Sequence, residues 1–462
     1  MPYTGKQDLS IFDPSLTTGL AVVGKDVDKL YNNFVGGFSP RVGFAYRIDK
    51  AGQTVLRGGY GLYYDSIYLR ELLYNTWLNN GAKFGPQFNP AGSNEVASAS
   101  AIGGTITSGT PVFNSYADAL AGLGTVSLST LERNFRPSYT QSYNLNVQHS
   151  FASNILAQIS YVGTKGTHLT GIYDINQAET SAQRAIDGKT LQESRPYYSQ
   201  FNNFSFINEL RSNLSSNYNS LQATLNLVHY HGLTSQLGYT WSHALDYETG
   251  LLPYLPQDST NERAEYGNSD YDVRHAFSGF LSYSLPGLDQ FRRLTKGWEI
   301  NAGFNFHGGV PFTVASSSNP SGNGEGSDRA QLQVANPFAG VSHAIVTKSD
   351  GTKYVQWFSS AAFKDAATGT YATTRRNQFS NPGYYNLDLA VQKTTPITEA
   401  VKLQLRAEIY NAFNHNNLTP LGVLSDASES GTTNSTIGVA LGNPGIGPGE
   451  PVNAQLALKI IF

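Results

Sequence analysis

One short segment of the sequence brings together the residue types used in acid-base and metal chemistry. DYDVRHAF contains Asp270, Asp272, Arg274 and His275 in close succession. A carboxylate beside an imidazole can relay a proton, and the same groups are ligands for divalent metals. On an extended strand the two aspartates share one face with Arg274, while His275 lies on the other. We therefore predict an ion pair at the start of a strand rather than a catalytic or metal site.

Three further segments resemble ligand sites, but each lacks a feature that its chemistry requires. His229 and His231 share a face in HYH, yet they lie in a short turn with no third ligand. Glu325 and Asp328 in NPSGNGEGSDR could hold calcium, but the Asp-x-Asp-x-Asp spacing is missing. GNPGIGPG (442–449) lacks the Lys-Ser/Thr pair of a phosphate loop. We predict a polar turn, a flexible surface loop and no phosphate site, respectively.

The sequence contains no set of residues that suggests a nucleophile with its base. It has no cysteine, which removes disulfides, thiolate metal ligands and thiol nucleophiles together. Its net charge of -3 provides no broad basic surface of the kind that attracts nucleic acid. We therefore predict no catalytic residue, no cofactor, no metal site and no nucleic-acid partner, and hence a protein that is not an enzyme.

The elements that carry these residues are long segments in which apolar and polar residues alternate. Near the end of the chain, Leu403, Leu405 and Ile409 share one face, while Arg406 and Glu408 share the other. The closing segment NAQLALKIIF repeats this pattern. Such segments are about twice as long as a typical globular strand. They predict roughly eleven antiparallel strands joined as neighbours, at residues 41–49, 53–65, 139–151, 154–163, 217–230, 233–243, 271–285, 297–308, 384–394, 400–413 and 452–462.

The connections between these segments alternate between short and long. Short turns are expected at 49–52, 151–154, 230–233, 286–297 and 394–399, and long links at 66–137, 164–216, 244–270, 309–383 and 414–450. Long structureless links are uncommon in compact soluble domains, whereas a membrane barrel has short periplasmic turns and long extracellular loops. We therefore predict an all-β fold, a transmembrane antiparallel up-and-down β-barrel.

Composition supports a membrane environment for these strands. Charged residues make up 14% of the chain, below the roughly 25% of an average soluble domain. No apolar run reaches the roughly 18 residues of a membrane-spanning helix, and MPYTGKQDLS lacks the features of a signal peptide. A soluble β-sandwich or sugar-binding β protein would also alternate, but strand length and loop asymmetry count against it. Aromatic residues near strand ends would form interfacial belts, namely Tyr63, Tyr64, Tyr239, Trp241, Trp298, Tyr384 and Tyr385.

Several phrases resemble the C-terminal barrel region of the TonB-dependent receptors, in particular the Oar-like subfamily of Gram-negative outer membranes. Each phrase is weak alone, and their number and order make the resemblance specific. They are FSPRVGFAYRI (38–48), LRGGYGLYYD (56–65), ISYVGTKGTHL (159–169), GLTSQLGYTWSHALD (232–246), DYDVRHAFSGFLSYSLP (270–286), GVPFTV (309–314), NPGYYNLDLAVQK (381–393), RAEIYNAFNHNNL (406–418) and the closing LALKIIF.

The resemblance implies energy-coupled uptake of a large or scarce substrate, such as a carbohydrate or peptide, across the outer membrane. Members of this family have a signal peptide, a plug domain and a barrel of about 22 strands. The chain corresponds to the C-terminal half of such a barrel, with 1–40 as a loop leading into the first strand, 41–462 as strands and loops, and no plug. The implied partners are outer-membrane lipid, the barrel-assembly machinery through Phe462, the TonB complex through the missing plug, and an extracellular substrate.

Two other classes of function stay open from the sequence. The long loops could act as contacts of a surface or adhesion protein without transport. An outer-membrane enzyme on a barrel scaffold would need a catalytic set at one rim. Aromatic residues of the loops could stack on sugar rings or peptide side chains, but such residues are equally ordinary in belts and loop cores; they are Tyr116, Tyr197, Tyr198 and Trp357.

The alternation in the last two strands predicts which side chains contact lipid. Nitroxide labels at apolar positions should show lipid exposure in power-saturation measurements, because that face has to cover hydrocarbon. Labels at polar positions should show water exposure, and an equal response at both sets would contradict the prediction. The lipid set is Leu403, Leu405, Ile409, Leu456, Leu458 and Ile460, and the lumen set is Gln404, Arg406, Glu408 and Gln455.

Overall fold

The computed structural model describes residues 10–65, 125–248, 255–316, 318–341, 345–347, 353–415, 417, 424–426, 436–438 and 451–462. Within these ranges the chain is built mainly of strands. In chain order they are β1 (Ser10–Phe12), β2 (Leu20–Val22), β3 (Arg41–Arg47), β4 (Thr54–Tyr64), β5 (Val126–Leu131), β6 (Tyr139–Ala152), β7 (Ile155–Asp174), β8 (Phe204–Tyr230), β9 (Leu233–Asp246), β10 (Gly267–Asn268), β11 (His275–Ser284), β12 (Trp298–His307), β13 (Pro311–Ala315), β14 (Gln331–Leu332), β15 (Ile345–Thr347), β16 (Lys353–Gln356), β17 (Phe363–Lys364), β18 (Phe379–Ser380), β19 (Tyr384–Pro396), β20 (Lys402–Tyr410), β21 (Leu424–Asp426), β22 (Thr436–Gly438) and β23 (Asn453–Ile461).

Helical structure within the described residues is confined to the links. There are two short α-helices, α1 (Ser181–Asp187) and α2 (Arg292–Thr295). Three 3₁₀ turns span Glu262–Glu265, Asp289–Phe291 and Ser360–Ala362. Helix α1 begins after Thr180, whose side chain accepts a hydrogen bond from the Gln183 N–H, and ends at Gly188 in the left-handed region.

One sheet of 13 strands dominates the fold, and two of these strands, β5 and β10, lie off its main path. The main path runs β3-β4-β6-β7-β8-β9-β11-β12-β19-β20-β23, in chain order. Every neighbouring pair along it is antiparallel. Each of the eleven segments predicted from alternation overlaps one of these strands. The predicted up-and-down antiparallel arrangement is therefore confirmed.

Two strands are far longer than alternation predicted. β7 has 20 residues and β8 has 27, against the predictions of 154–163 and 217–230. Their extensions form part of the segment that was expected to be a long link at 164–216. They remain ordered because β8 continues to pair with β7 and also pairs in parallel with β5. Along this extension the apolar residues Phe204, Ile207 and Leu210 are buried, which stabilises strand structure beyond the alternating stretch.

The strand predicted at 271–285 begins later, at His275. Asp272 causes this difference, because its carboxylate accepts a hydrogen bond from the backbone N–H of Ala244 at 2.8 Å. The Asp272 carboxylate thus accepts from a backbone N–H of β9 that would otherwise donate to the backbone of the adjoining strand. Antiparallel pairing with β9 starts three residues later, opposite Trp241.

All short turns lie at one end of the sheet and all long links at the other, because the strands alternate in direction. Glycines in the left-handed region close three of the short turns, at Gly52, Gly232 and Gly297. Asp49 closes the first turn by accepting a hydrogen bond from the Gln53 N–H at 2.9 Å. The predicted difference between the two ends is thus present in the structure.

The two faces of the last strand pair, β20 and β23, differ as predicted. Across β20 and β23, Leu405 lies opposite Leu458 on one face, and Glu408 lies opposite Gln455 on the other. The apolar face has no protein cover among the described residues, and Leu456 is 87% exposed. A soluble protein would bury such a row of leucines, whereas lipid would cover it.

We call the eleven strands of the main path the wall, without the extensions of β7 and β8. The buried apolar residues lie mostly beyond one end of the wall, in a part that we call the cap layer. It consists of the described residues of 10–31, 125–138, 168–214, 255–274 and 308–383, at the end that carries the long links. One core joins the hairpin β1-β2 to β5 and β8, with Leu20, Leu128, Phe201, Phe204 and Ile207. Another lies within the link after β12, with Phe312, Val314, Ala330, Phe358, Ala362, Phe363 and Phe379.

The join between the wall and the cap layer depends on a glycine. A Cβ atom at Gly309 would lie 1.7 Å from the backbone oxygen of Asn381. We expect Gly309→Ala to lower the free energy of unfolding by about 1–3 kcal/mol, because backbone has to move to admit the methyl group. Urea unfolding in detergent micelles, followed by tryptophan fluorescence, would measure this change.

Gly303→Ala on β12 is the matched control, since a Cβ atom there meets nothing within 4 Å. Its free energy of unfolding should stay within about 0.5 kcal/mol of the native value. Equal effects of the two substitutions would contradict the assignment of a close backbone approach at Gly309.

Candidate functional site

The polar face of the wall is a hydrogen-bonded surface rather than a row of separate side chains. Glu299, Gln392 and Arg406 are successive register partners across β12, β19 and β20. Arg406 pairs with Glu408 at 2.5 Å, and Glu408 accepts a hydrogen bond from Gln455 on β23. A wet face that carries paired charges is suited to line a lumen, since hydrocarbon would penalise each of these groups.

A buried ion pair fixes the base of the cap layer. The Arg195 Nη1 lies 3.3 Å from the Asp174 Oδ2, and the two side chains are 2% and 0% exposed. The second Asp174 oxygen accepts hydrogen bonds from the Asn176 N–H at 2.9 Å and the Ile207 N–H at 2.7 Å. Arg195 also donates to the Asn176 carbonyl at 2.7 Å. This pairing ties the end of β7 to β8 and to the link between them.

A second carboxyl group, from Glu325, lies beside this ion pair. Both of its oxygens are buried without a partner that donates to them in the described part of the chain. Burial, followed by the negative charge of Asp174, raises the pKa of Glu325 to about 10. A protonated Glu325 can donate its proton to Asp174, which explains how two carboxyl groups share one buried place. Burial also raises the pKa of Asp328 in the same loop.

Another buried network joins the link after β9 to the link after β12. Arg329 pairs with Glu265, and both side chains are largely buried. Arg376 pairs with Asp246 and lies 3.5 Å from Asp270. These charged groups are removed from water, and each forms several hydrogen bonds or ion pairs, so together they hold the two links in one geometry. A substitution that removes one partner would leave the other charge buried and uncompensated.

The residues of DYDVRHAF are separated by the structure into three different contacts. Arg274 and Asp272 form the predicted ion pair at 2.9 Å. Asp270 instead accepts a hydrogen bond from the Asn377 side chain at 2.6 Å. The His275 Nδ1 lies 2.8 Å from the Tyr239 hydroxyl, on the other face. The four residues therefore do not form a common acid-base centre.

The prediction of a flexible surface loop at Glu325 and Asp328 is wrong. Asp328 is 1% exposed, and its Oδ2 accepts a hydrogen bond from the Ser321 N–H at 2.8 Å. The glycines of NPSGNGEGSDR adopt left-handed backbone at 322, 324 and 326, which folds the loop back and turns its carboxyl groups inward. Among the described residues no three histidine, aspartate or glutamate side chains are grouped to hold a metal ion.

His229 and His231 both adopt left-handed backbone around the β8-β9 turn, as expected for a polar turn. The loop aromatics that the structure describes belong largely to packing. Tyr197 contacts Phe12 with ring centroids 4.8 Å apart, and the Trp357 Nε1 donates to the Ser380 carbonyl at 2.9 Å. Tyr198 is half-buried. Tyr116 and the segment 442–449 lie outside the described residues.

Sequence reasoning missed the residues that organise the cap layer, above all Asp174, Arg195, Arg329 and Arg376. Their partners are distant along the chain, as with Arg376 and Asp246, so no local spacing indicates them. The one available signal was the presence of charged residues inside links that are otherwise rich in glycine, serine and asparagine. Within the described residues, no helix is long and apolar enough to span a membrane.

Comparison with known proteins places this architecture in a family. Residues 1–440 match the family described as outer membrane beta barrel domain. The chain therefore belongs to this family and is a protein of the outer membrane. No curated protein matches the chain.

Solved outer-membrane structures are similar to the chain at low sequence identity. The ferripyoverdine receptor of Pseudomonas aeruginosa is 11% identical over 96% of this chain and 34% of its own, with a TM-score of 0.40. The transporter YddB of Escherichia coli is 10% identical over 91% and 40%, with a TM-score of 0.42. BauA, the ferric preacinetobactin receptor of Acinetobacter baumannii, is 10% identical over 92% and 36%, with a TM-score of 0.39. The chain spans between a third and two fifths of the length of these structures.

The neutral carboxyl group of Glu325 predicts a pH effect with a definite sign. Because folding raises its pKa from 4.5 to about 10, the folded state holds a proton that the unfolded state loses within that window. The cap layer should therefore lose stability as the pH rises from 5 to 9. Amide hydrogen exchange of peptides from 174–200 and 318–330 would report this loss as faster exchange, after correction for the intrinsic rate.

Glu325→Gln should weaken this pH dependence while leaving protection at pH 7 nearly unchanged, since the amide still donates to Asp174. Asp174→Asn is the contrasting variant, because it leaves Arg195 buried without its anion and should cost about 3–5 kcal/mol. An unchanged pH dependence in Glu325→Gln would show that other groups are responsible.

Proposed function

We propose that residues 1–462 are part of the barrel of a TonB-dependent outer-membrane receptor of the Oar-like subfamily. In this proposal 1–40 leads into β3, the first strand of the barrel, 41–462 supplies barrel strands and loops, and the chain carries no plug domain. The receptor takes up a substrate too large or too scarce for porins, such as a carbohydrate or a peptide. It has no catalytic role.

The observation that carries this proposal is the division between the wall and the cap layer. The wall has one apolar face and one polar face, as Leu405 and Arg406 illustrate on adjacent positions of β20. The cap layer, at one end only, is a folded structure with its own cores and buried ion pairs. A wet wall beneath an ordered outer surface suits capture of a solute followed by passage.

The remaining partners follow from the same proposal. Energy would come from the TonB complex acting on a plug domain within the barrel. The barrel-assembly machinery would bind the closing strand, where the terminal Phe462 is 94% exposed and so accessible to a partner. Outer-membrane lipid would cover the leucines of β20 and β23.

Deletion of the gene in the native bacterium would test the proposed function. The deletion strain should stop growing on at least one oligosaccharide or peptide that exceeds the porin limit, because its import route is lost. Depletion of TonB should abolish growth on the same substrate, and the native gene should restore it in the deletion strain. Growth on glucose, which passes through porins, is the control and should not change.

A growth defect that persists equally with and without TonB would contradict energy-coupled uptake. Normal growth on every large substrate, together with weaker attachment of cells to surfaces, would instead favour the adhesion protein considered from the sequence.

A further inference from the structure

A cavity in the cap layer is lined by arginine side chains. It has a volume of about 410 Å³ and lies between the link after β9 and the link after β12. This volume is within the range of small-molecule sites. None of its lining residues carries a carboxylate, in the part of the chain that the structure describes. The lining residues that matter for binding are Gln257, Arg263, Tyr266, Arg329, Thr373 and Arg375.

Two of the three arginines keep their positive charge uncompensated. The Arg263 and Arg375 side chains are exposed, and neither makes an ion pair or a side-chain hydrogen bond with a described residue. Arg329 differs, because it is buried, pairs with Glu265 and donates to the Thr374 carbonyl at 3.3 Å. The cavity therefore carries excess positive charge that the described protein does not neutralise.

The walls of the cavity are held in place before any ligand arrives. The Gln257 side chain donates to the Ala372 carbonyl at 3.1 Å and accepts from the Arg329 N–H at 3.2 Å. Arg376, the residue after Arg375, donates to the Glu265 carbonyl at 2.8 Å. These bonds cross between the two links, so binding would require little ordering of backbone, which favours affinity.

We propose that this cavity binds an anionic group of the size of phosphate, held by the guanidinium groups of Arg263 and Arg375. A guanidinium presents a planar fork of donors that matches the oxygens of phosphate, sulfate or carboxylate. The site does not depend on whether the protein transports a substrate, and the same chemistry is found on soluble anions and on lipid headgroups.

Isothermal titration of the full chain in a neutral detergent with inorganic pyrophosphate tests the site. The native protein should bind pyrophosphate, and Arg263→Gln and Arg375→Gln should each weaken binding about tenfold or more. Arg263→Lys should retain part of the affinity, because a point charge replaces the fork. Added sodium chloride should weaken binding, as expected for exposed charges.

Arg136→Gln is the matched control, since Arg136 is another exposed arginine of the cap layer and lies outside the cavity. Its affinity for pyrophosphate should equal that of the native protein. Circular dichroism would verify that all variants keep the strand content of the native chain. Absence of binding by the native protein, or equal affinity in the Arg263→Gln/Arg375→Gln double variant, would overturn the proposal.

Nanodiscs distinguish the two sources of the anionic group. Pyrophosphate binding that occurs in phosphatidylcholine nanodiscs but is lost when phosphatidylglycerol is included would identify a lipid headgroup as the occupant. Binding that is equal in both nanodiscs would identify a soluble anion. Either result requires that the double variant fails to bind in phosphatidylcholine nanodiscs.

Discussion

The need to pair every backbone N–H and C=O group inside a membrane is the constraint on which the rest of this structure depends. Lipid offers no hydrogen bonds, so a strand that crosses the hydrocarbon layer has to be bonded on both sides. Uninterrupted antiparallel neighbours from β3 to β23 satisfy this need everywhere except at the two outer strands. Because the backbone is paired with itself, the side chains can match the environment of each face, with leucines on one face and paired charges on the other.

This arrangement leaves the wall without a hydrophobic core, and the core is found elsewhere. A single layer of strands buries little of its own surface, as the exposure of Leu405, Leu456 and Leu458 illustrates. The cap layer behaves like a soluble domain instead, with buried phenylalanines and with ion pairs removed from water. Each buried charge of the cap layer forms several hydrogen bonds or ion pairs, which offset the cost of removing it from water. Because these bonds require particular partners, they make the geometry of the cap layer specific. The membrane environment thus stabilises the wall, and side-chain packing stabilises the cap layer.

The wall was predictable from sequence because its rule is local. Side chains alternate between two faces, and each face has one environment, so the sequence of a single strand determines its pattern. The faces of the segment from Leu403 to Ile409 can therefore be predicted without knowing which strands lie beside it. The cap layer depends on contacts between distant residues, such as Arg329 with Glu265 and Asn377 with Asp270. Glycine-rich segments look alike whether they are exposed loops or folded turns. For that reason the pattern of NPSGNGEGSDR predicts a flexible loop where the structure has a folded turn, and it does not indicate the extensions of β7 and β8.

The direction of the outer strands adds a constraint on how the wall can close. Because the path from β3 to β23 contains an odd number of alternating strands, these two strands run in the same direction. A direct seam between them would be parallel, unlike every other pair along the path. An odd number of additional strands between β23 and β3 would keep antiparallel pairing throughout, and would widen the lumen at the same time.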